Sequence, residues 1–122
     1  MTTISMNADV ITLINVFAVD PARQDELLQV LHEATEEIIR FQPGFISANF
    51  HKSLDGRHVA NYAQWRSVAD LEAMLASPQS QDHLRRASQI AGDVSPVVYR
   101  VASVEDRSPA DPPGFAPLGP TS

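Results

Sequence analysis

The sequence predicts an α+β domain of order β-α-β-β-α-β, a four-stranded antiparallel sheet with its helices on one face. Three observations carry this. Runs of Val, Ile, Thr and aromatic residues with period-two alternation bracket two stretches whose apolar residues recur at steps of three and four. Asp55-Gly56 joins the two middle strands as a hairpin turn pair. The strand faces that would meet the helices are apolar, each broken by one amide.

Residues 1–9 are polar and read as a flexible N-terminus, and the folded domain is expected over 10–106. Val10–Val19 is the first strand, rich in β-branched residues. Asp20-Pro21 then supplies a helix cap with proline at the first helical position. The helix is expected to reach about Arg40, with Leu27, Leu31, Ala34, Ile38 and Phe41 as its apolar stripe, and Pro43-Gly44 ends it. Phe45–Ser53 and His58–Arg66 are the hairpin strands around Leu54-Asp55-Gly56-Arg57. Ser67 caps the next helix, with Asp70 three residues on, and Leu71, Met74 and Leu75 form its apolar side. Ser77-Pro78 interrupts that helix, the continuation carries Leu84, Ala87 and Ile90, and Gly92 stops it. Val94–Val104 is the last strand, with Pro96 marking an edge or a late start. This order is the split βαβ arrangement of ferredoxin-like folds.

Five of the nine prolines lie between Pro109 and Pro120, so residues 107–122 read as an extended or disordered tail. The sheet face away from the helices would expose Val10, Ile14, Val16, Ala18, Ala60 and Tyr62. The simplest cover for it is the same face of a second subunit, which predicts a homodimer.

The net charge of −6, with nine basic residues, argues against nucleic acid and anionic membranes as partners. Cysteine is absent, which excludes disulfides, thiolate catalysis and cysteine-bound metals and suits a cytoplasmic protein. No apolar run is long enough for a membrane span. Neither HExxH nor any other His/Asp/Glu spacing suited to a metal occurs, and the Gly-rich nucleotide motifs are missing too.

Chemistry points to two strands. On the third strand Val59, Asn61, Ala63 and Trp65 share a face; on the first, Ile11, Leu13, Asn15, Phe17 and Val19 do. An amide on an apolar face needs partners, or it lines a cavity where a ligand supplies them. Two amides and an indole on apolar walls are the ingredients of a small-molecule pocket. His51 and His58 flank the hairpin and read as surface or dimer-face residues, and His32 as exposed.

The stretch Gln42-Pro43-Gly44-Phe45, running on to Asn61-Tyr62-Ala63-Gln64-Trp65, resembles the antibiotic biosynthesis monooxygenase family of dimeric α+β barrels over roughly residues 10–104. The Asn-Tyr-x-x-Trp strand is similar to that of its cofactor-free oxygenases, which convert anthrones and related phenols to quinones. The resemblance implies a monooxygenase with no cofactor, dioxygen as co-substrate and a small aromatic substrate. It implies Asn15, Asn61 and Trp65 as catalytic residues. Phe17, Leu71 and Met74 would contact substrate, with His83 and Arg86 contributing from the helical side. Some members carry a tyrosine there, and Leu71 stands near its place; Arg85 is the alternative to Arg86. A haem-degrading branch of the same superfamily gives a second expectation. It uses a first-strand asparagine, a tryptophan on the second helix and a histidine about ten residues later. His83 lies near that histidine's place, but Ala73 occupies the tryptophan's. A binding barrel without catalysis is the third.

Overall fold

The structure, a computed structural model, describes residues 2–6 and 8–107. The order is β1 (Ile11–Ala18), α1 (Gln24–Glu37), β2 (Phe45–Lys52), β3 (His58–Trp65), α2 (Val68–Ala76), α3 (Pro78–Ile90) and β4 (Val94–Tyr99). The strands form one antiparallel sheet ordered β2-β3-β1-β4, the expected ferredoxin-like α+β fold. The proline-rich tail, apart from Arg107, lies outside the described residues.

The local signals act as their chemistry requires. Asp20 accepts a hydrogen bond from the Ala22 N–H at 2.8 Å, opening a 3₁₀ turn that leads into α1. Buried Gln24 ties the start of α1 to the hairpin, donating to the carbonyls of Ser53 (3.1 Å) and His58 (2.9 Å). Gly56 takes φ +79° in that hairpin, a left-handed conformation that glycine adopts without steric cost. Ser77 caps α3 through the Ser80 N–H, and Pro78 occupies the first turn, where its missing N–H costs nothing.

Two boundaries differ from expectation. The first helix ends at Glu37, where Ile38 leaves helical geometry (φ −129°, ψ −57°), and a 3₁₀ turn follows over Ile39–Phe41. Phe41 therefore leaves the apolar stripe and is 66% exposed, with the Arg40 guanidinium 4.5 Å over its ring. The last strand stops at Tyr99, opposite Thr12, because β1 has almost no residues left to pair with it. Pro96 sits inside β4, tolerated because β4 is an edge strand. The segment ahead of β1, read as loose, makes contacts at two points: Thr2 exchanges hydrogen bonds with Asn49 (2.7 and 2.9 Å), and Gln64 donates to the Thr3 carbonyl at 2.7 Å.

The core between sheet and helices is in two parts. Phe17, Val19, Leu27, Val30, Leu31, Val59, Ala87 and Ala91 form one cluster; Ile11, Leu13, Ala63, Trp65, Leu71 and Met74 form the other. The division falls at the amides. Along β1, Asn15 separates Leu13 from Phe17; along β3, Asn61 separates Val59 from Ala63. The two amides pair directly across the strands.

Candidate active site

A cavity of about 60 Å³ lies at this seam, between the sheet and the helices. From β1 it is lined by Leu13, Asn15 and Phe17, and from β3 by Asn61, Ala63 and Trp65. Phe45, Ala48 and Phe50 of β2 form a third wall. Leu31, Thr35 and Ile39 close it from the first helix and the turn after it, and Met74, Leu75 and Leu84 from α2 and α3. The Thr35 hydroxyl is already committed, donating to the Leu31 carbonyl at 2.9 Å.

The side-chain oxygens of Asn15 and Asn61 are both buried and without a partner among the described residues. Burying such a group unsatisfied costs roughly 1–3 kcal/mol, which a core position has no reason to bear twice on adjacent strands. A half-turn about χ2 exchanges oxygen for NH₂, so each amide can offer a ligand either an acceptor or two donors. Trp65 is fully buried and meets Phe45 edge to face, with ring centroids 5.4 Å apart and planes at 86°. That pair fixes the indole at the cavity's end.

A β-bulge brings Phe45 to this position. Phe45 pairs with Trp65 and Ser47 with Gln64, so Ile46 is the extra residue. Strict alternation from Ala48 and Phe50 would have placed Ile46 on the cavity side and Phe45 on the opposite face. The bulge is anchored by Gly44 and β3. Gly44 has φ +84°, and a β-carbon there would collide with the Asp70 side chain. Its carbonyl accepts from the Arg66 N–H at 2.8 Å. Arg66 forks onto the Asp70 carboxylate at 2.7 and 2.9 Å, and Ser67 donates to it at 3.0 Å. The Arg66 guanidinium, then the Ser67 hydroxyl, hold that carboxyl below its usual range. Nothing in the bulge is legible from composition; the Pro-Gly-Phe turn is the only sequence signal near it.

The expected site residues divide in two. Asn15, Asn61, Trp65, Phe17 and Met74 come together around one cavity. Leu71 does not line it: it is buried behind the wall, in the cluster that holds Trp65 and Met74. His83 is half-buried on α3 with its Nδ1 enclosed and unpartnered, but it is not part of the wall. Arg86 points away: its guanidinium is half exposed and lies 3.7 Å from Glu33 of α1. Arg85 faces Asp82 at 3.0 Å. The helical period explains the misses. Ser80, Leu84, Ala87 and Ala91 take the inward stripe of α3 and its end, which turns residues 85 and 86 outward. Sequence reasoning also missed Thr35, Ile39 and the β2 wall.

Among the described residues no ionisable side chain lines the cavity. Among the described residues no group of three or more His, Asp or Glu is placed to hold a metal ion, and no helix is long and apolar enough to cross a membrane. With His83 outside the wall and Ala73 exposed on α2, the haem arrangement is not built here. What the geometry offers is a largely apolar cavity with two adjacent amides, suited to orienting a ligand with few polar atoms and stabilising charge that develops on it.

The model of the antibiotic biosynthesis monooxygenase family matches residues 10–86, which contain this wall. Tetracenomycin-F1 monooxygenase of Streptomyces glaucescens is 55% identical over 83 residues, covering 68% of this chain and 74% of that one. Among solved structures, a monooxygenase from the ActVA-Orf6 gene of Streptomyces coelicolor, in complex with nanaomycin D, superposes with TM-score 0.75 at 30% identity over 86% of this chain and all of its own. SnoaB, a cofactor-independent oxygenase of Streptomyces nogalater, shares the fold with TM-score 0.69 at 21% identity over 80% of this chain and 97% of its own. By sequence and by fold, then, this monooxygenase belongs to the antibiotic biosynthesis monooxygenase family.

Proposed function

We propose that the protein oxidises an anthrone-like phenol of aromatic polyketide type to a quinone, using dioxygen and no cofactor. The observation that carries this is the pair of amides Asn15 and Asn61, whose buried side-chain oxygens find no partner among the described residues, side by side in a largely apolar cavity with Trp65. The polyketide class is supported by the relatives: one is named for tetracenomycin F1, and another was solved with nanaomycin D.

Ground-state dioxygen is a triplet and reacts slowly with paired electrons, but an electron-rich carbanion passes it one electron directly. The substrate therefore supplies the reducing power. Loss of the C–H proton gives the anion; one-electron transfer gives superoxide beside a substrate radical; their collapse forms the C–O bond of a peroxide. The peroxide takes up a proton and sheds water with the second hydrogen of that carbon, leaving C=O. One oxygen atom enters the quinone and the other leaves as water. The protein's part is electrostatic. Amide N–H groups of Asn15 and Asn61 stabilise the substrate oxyanion and the peroxide in a water-poor site, where one such donor is worth roughly 3–4 kcal/mol of barrier. With no acid or base in the wall, ionisation rests on the substrate's own acidity, raised by those amides.

The active unit is proposed to be a homodimer. Ile14, Val16, Ala60, Tyr62, Val97 and Tyr99 share the sheet face opposite the helices, an apolar surface suited to the same face of a second copy.

The test is oxygen uptake by metal-stripped protein with a simple anthrone and no added cofactor. Saturable uptake with quinone formation above the buffer rate is expected. A rate equal to the blank would refute the assignment.

A further inference from the structure

We infer that the substrate's reacting ring sits against Asn61 and Trp65 while its far end leaves through a cleft at the outer edge of β2, where Arg40 selects a carboxylate on the distal ring. This rests on the quinone-forming reading above and names a substrate class within it.

Size is the first argument. The cavity at the amides measures about 60 Å³, whereas pockets for drug-sized ligands run to roughly 300–1,000 Å³. A fused tricyclic held by the amide and the indole therefore extends beyond that wall. An open cleft of about 440 Å³ adjoins the cavity, and Thr35, Phe45 and Ala48 line both. Phe45 is the ring that meets Trp65, so this opening lies at the indole end. The fold leaves it uncovered. β2 is the outer strand of the sheet, and α1 stops at Glu37, after which the 3₁₀ turn carries Arg40 to the cleft.

The second argument is which polar groups remain for a ligand. Ser47 donates to Gln64, Thr2 and Asn49 bond each other, and Thr35 donates to the Leu31 carbonyl. That leaves Arg40 and Glu36 in the cleft. The Arg40 Nε–H donates to the Glu36 carbonyl at 2.9 Å, and Nε lies 3.6 Å from the Glu36 carboxylate. Both contacts use one edge of the guanidinium. Its two terminal NH₂ groups make no hydrogen bond among the described residues, and they form the fork that fits a carboxylate. The Phe41 ring lies 4.5 Å from the guanidinium carbon and braces it, which gives an otherwise exposed aromatic residue a role.

Charge is the third. The chain carries a net charge of −6, so an anionic substrate is repelled at long range and needs a local cation. Among the described residues Arg40 is the one cation lining the cavity, this cleft or the chamber of about 340 Å³ between α3 and β4. That chamber is apolar apart from Asn15 and Ser88 and suits an apolar substituent instead.

The probe is an anthraquinone carboxylic acid, compared with its methyl ester and titrated against the fluorescence of Trp65, the chain's single tryptophan. The wild type is expected to bind the acid roughly five- to tenfold more tightly than the ester, and added salt to erase that preference. Arg40→Gln should bring the acid to the ester's affinity, and Arg40→Lys should keep part of the preference. Equal affinities in the wild type, a preference that salt does not touch, or one that survives Arg40→Gln would overturn the assignment. The salt series needs no variant, so misfolding of Arg40→Gln does not blunt the test. Oxygen uptake by the wild type with an anthrone bearing the same carboxylate separates the two readings. No uptake sinks the quinone-forming chemistry, whereas equal binding of acid and ester sinks only the role of Arg40.

Discussion

At the scale of single residues, the two amides are placed against the interest of stability. Asn15 and Asn61 occupy inward positions on central strands, between apolar neighbours on the same face, and their buried oxygens find no partner. A core selected only for packing would carry aliphatic residues there and join its two clusters into one. Asn61→Leu is therefore expected to stabilise the fold by about 1 kcal/mol, read as a rise in the urea midpoint, while abolishing quinone formation. Loss of both stability and activity would identify Asn61 as a satisfied structural amide. Asn61→Ala separates the amide's chemistry from its bulk: kcat should fall roughly 100-fold with little change in the anthrone KM, as measured by steady-state oxygen uptake. Trp65 packs in the core and walls the cavity at once. Its fully buried ring closes the cavity and braces Phe45, so Trp65→Ala should cost about 3–5 kcal/mol in chemical denaturation.

At the scale of elements, the end of the cavity depends on how β2 and β3 begin and end. Gly44, Arg66, Ser67 and Asp70 form one knot that holds the bulge and the start of α2, and the bulge turns Phe45 toward Trp65. Gly44→Ala introduces a side chain at φ +84° and forces it against Asp70. A loss of about 1–3 kcal/mol is expected, measurable as a lowered denaturation midpoint. The Asp70 carboxyl is held low by Arg66 and then Ser67, so the folded state releases its proton more readily than the unfolded chain. Its contribution is therefore complete above the ordinary carboxylate pKa of about 3.9 and is lost as pH falls through the lower folded value. Asp55, held low by Ser53 and the Arg57 N–H, and Glu26, held low by Arg23, act in the same direction. Stability should decline in acid below about pH 4, and Asp70→Asn should flatten that decline in melting curves taken between neutral and acid pH. The elements themselves were legible, because caps, Pro and Gly positions and periodicity all act through local backbone chemistry. The bulge was not, since it reflects which partner residue each strand position meets.

At the scale of the whole molecule, one face of the sheet walls the cavity and the other presents an apolar surface without a helix over it. Ile14 and Tyr62 lie on the second face, flanked by Val97 and Tyr99. Sedimentation of the wild type is expected to show a dimer, and Ile14→Lys to shift it to monomer by placing a charge in the centre of an apolar interface. An unshifted dimer would mean that the subunits meet elsewhere. The sequence by itself determined the α+β order and the strand faces, and it nominated Asn15, Asn61, Trp65, Phe17 and Met74, which the structure gathers around one cavity, together with Leu71, His83 and Arg86, which it does not. Alternation on strands and the helical period are properties of the local chain, and the Asn-Tyr-x-x-Trp strand carried the family. Only the tertiary structure decided the rest: that Asn15 and Asn61 are cross-strand neighbours, that Leu71 backs the wall while Arg86 turns away, that Thr35 and Phe45 belong to the cavity, and that a small enclosed chamber adjoins a larger one. Register, bulge and the rotation of a packed helix are set by long-range pairing and by how two core clusters fill space around a polar seam, and no local pattern of residues encodes those distances.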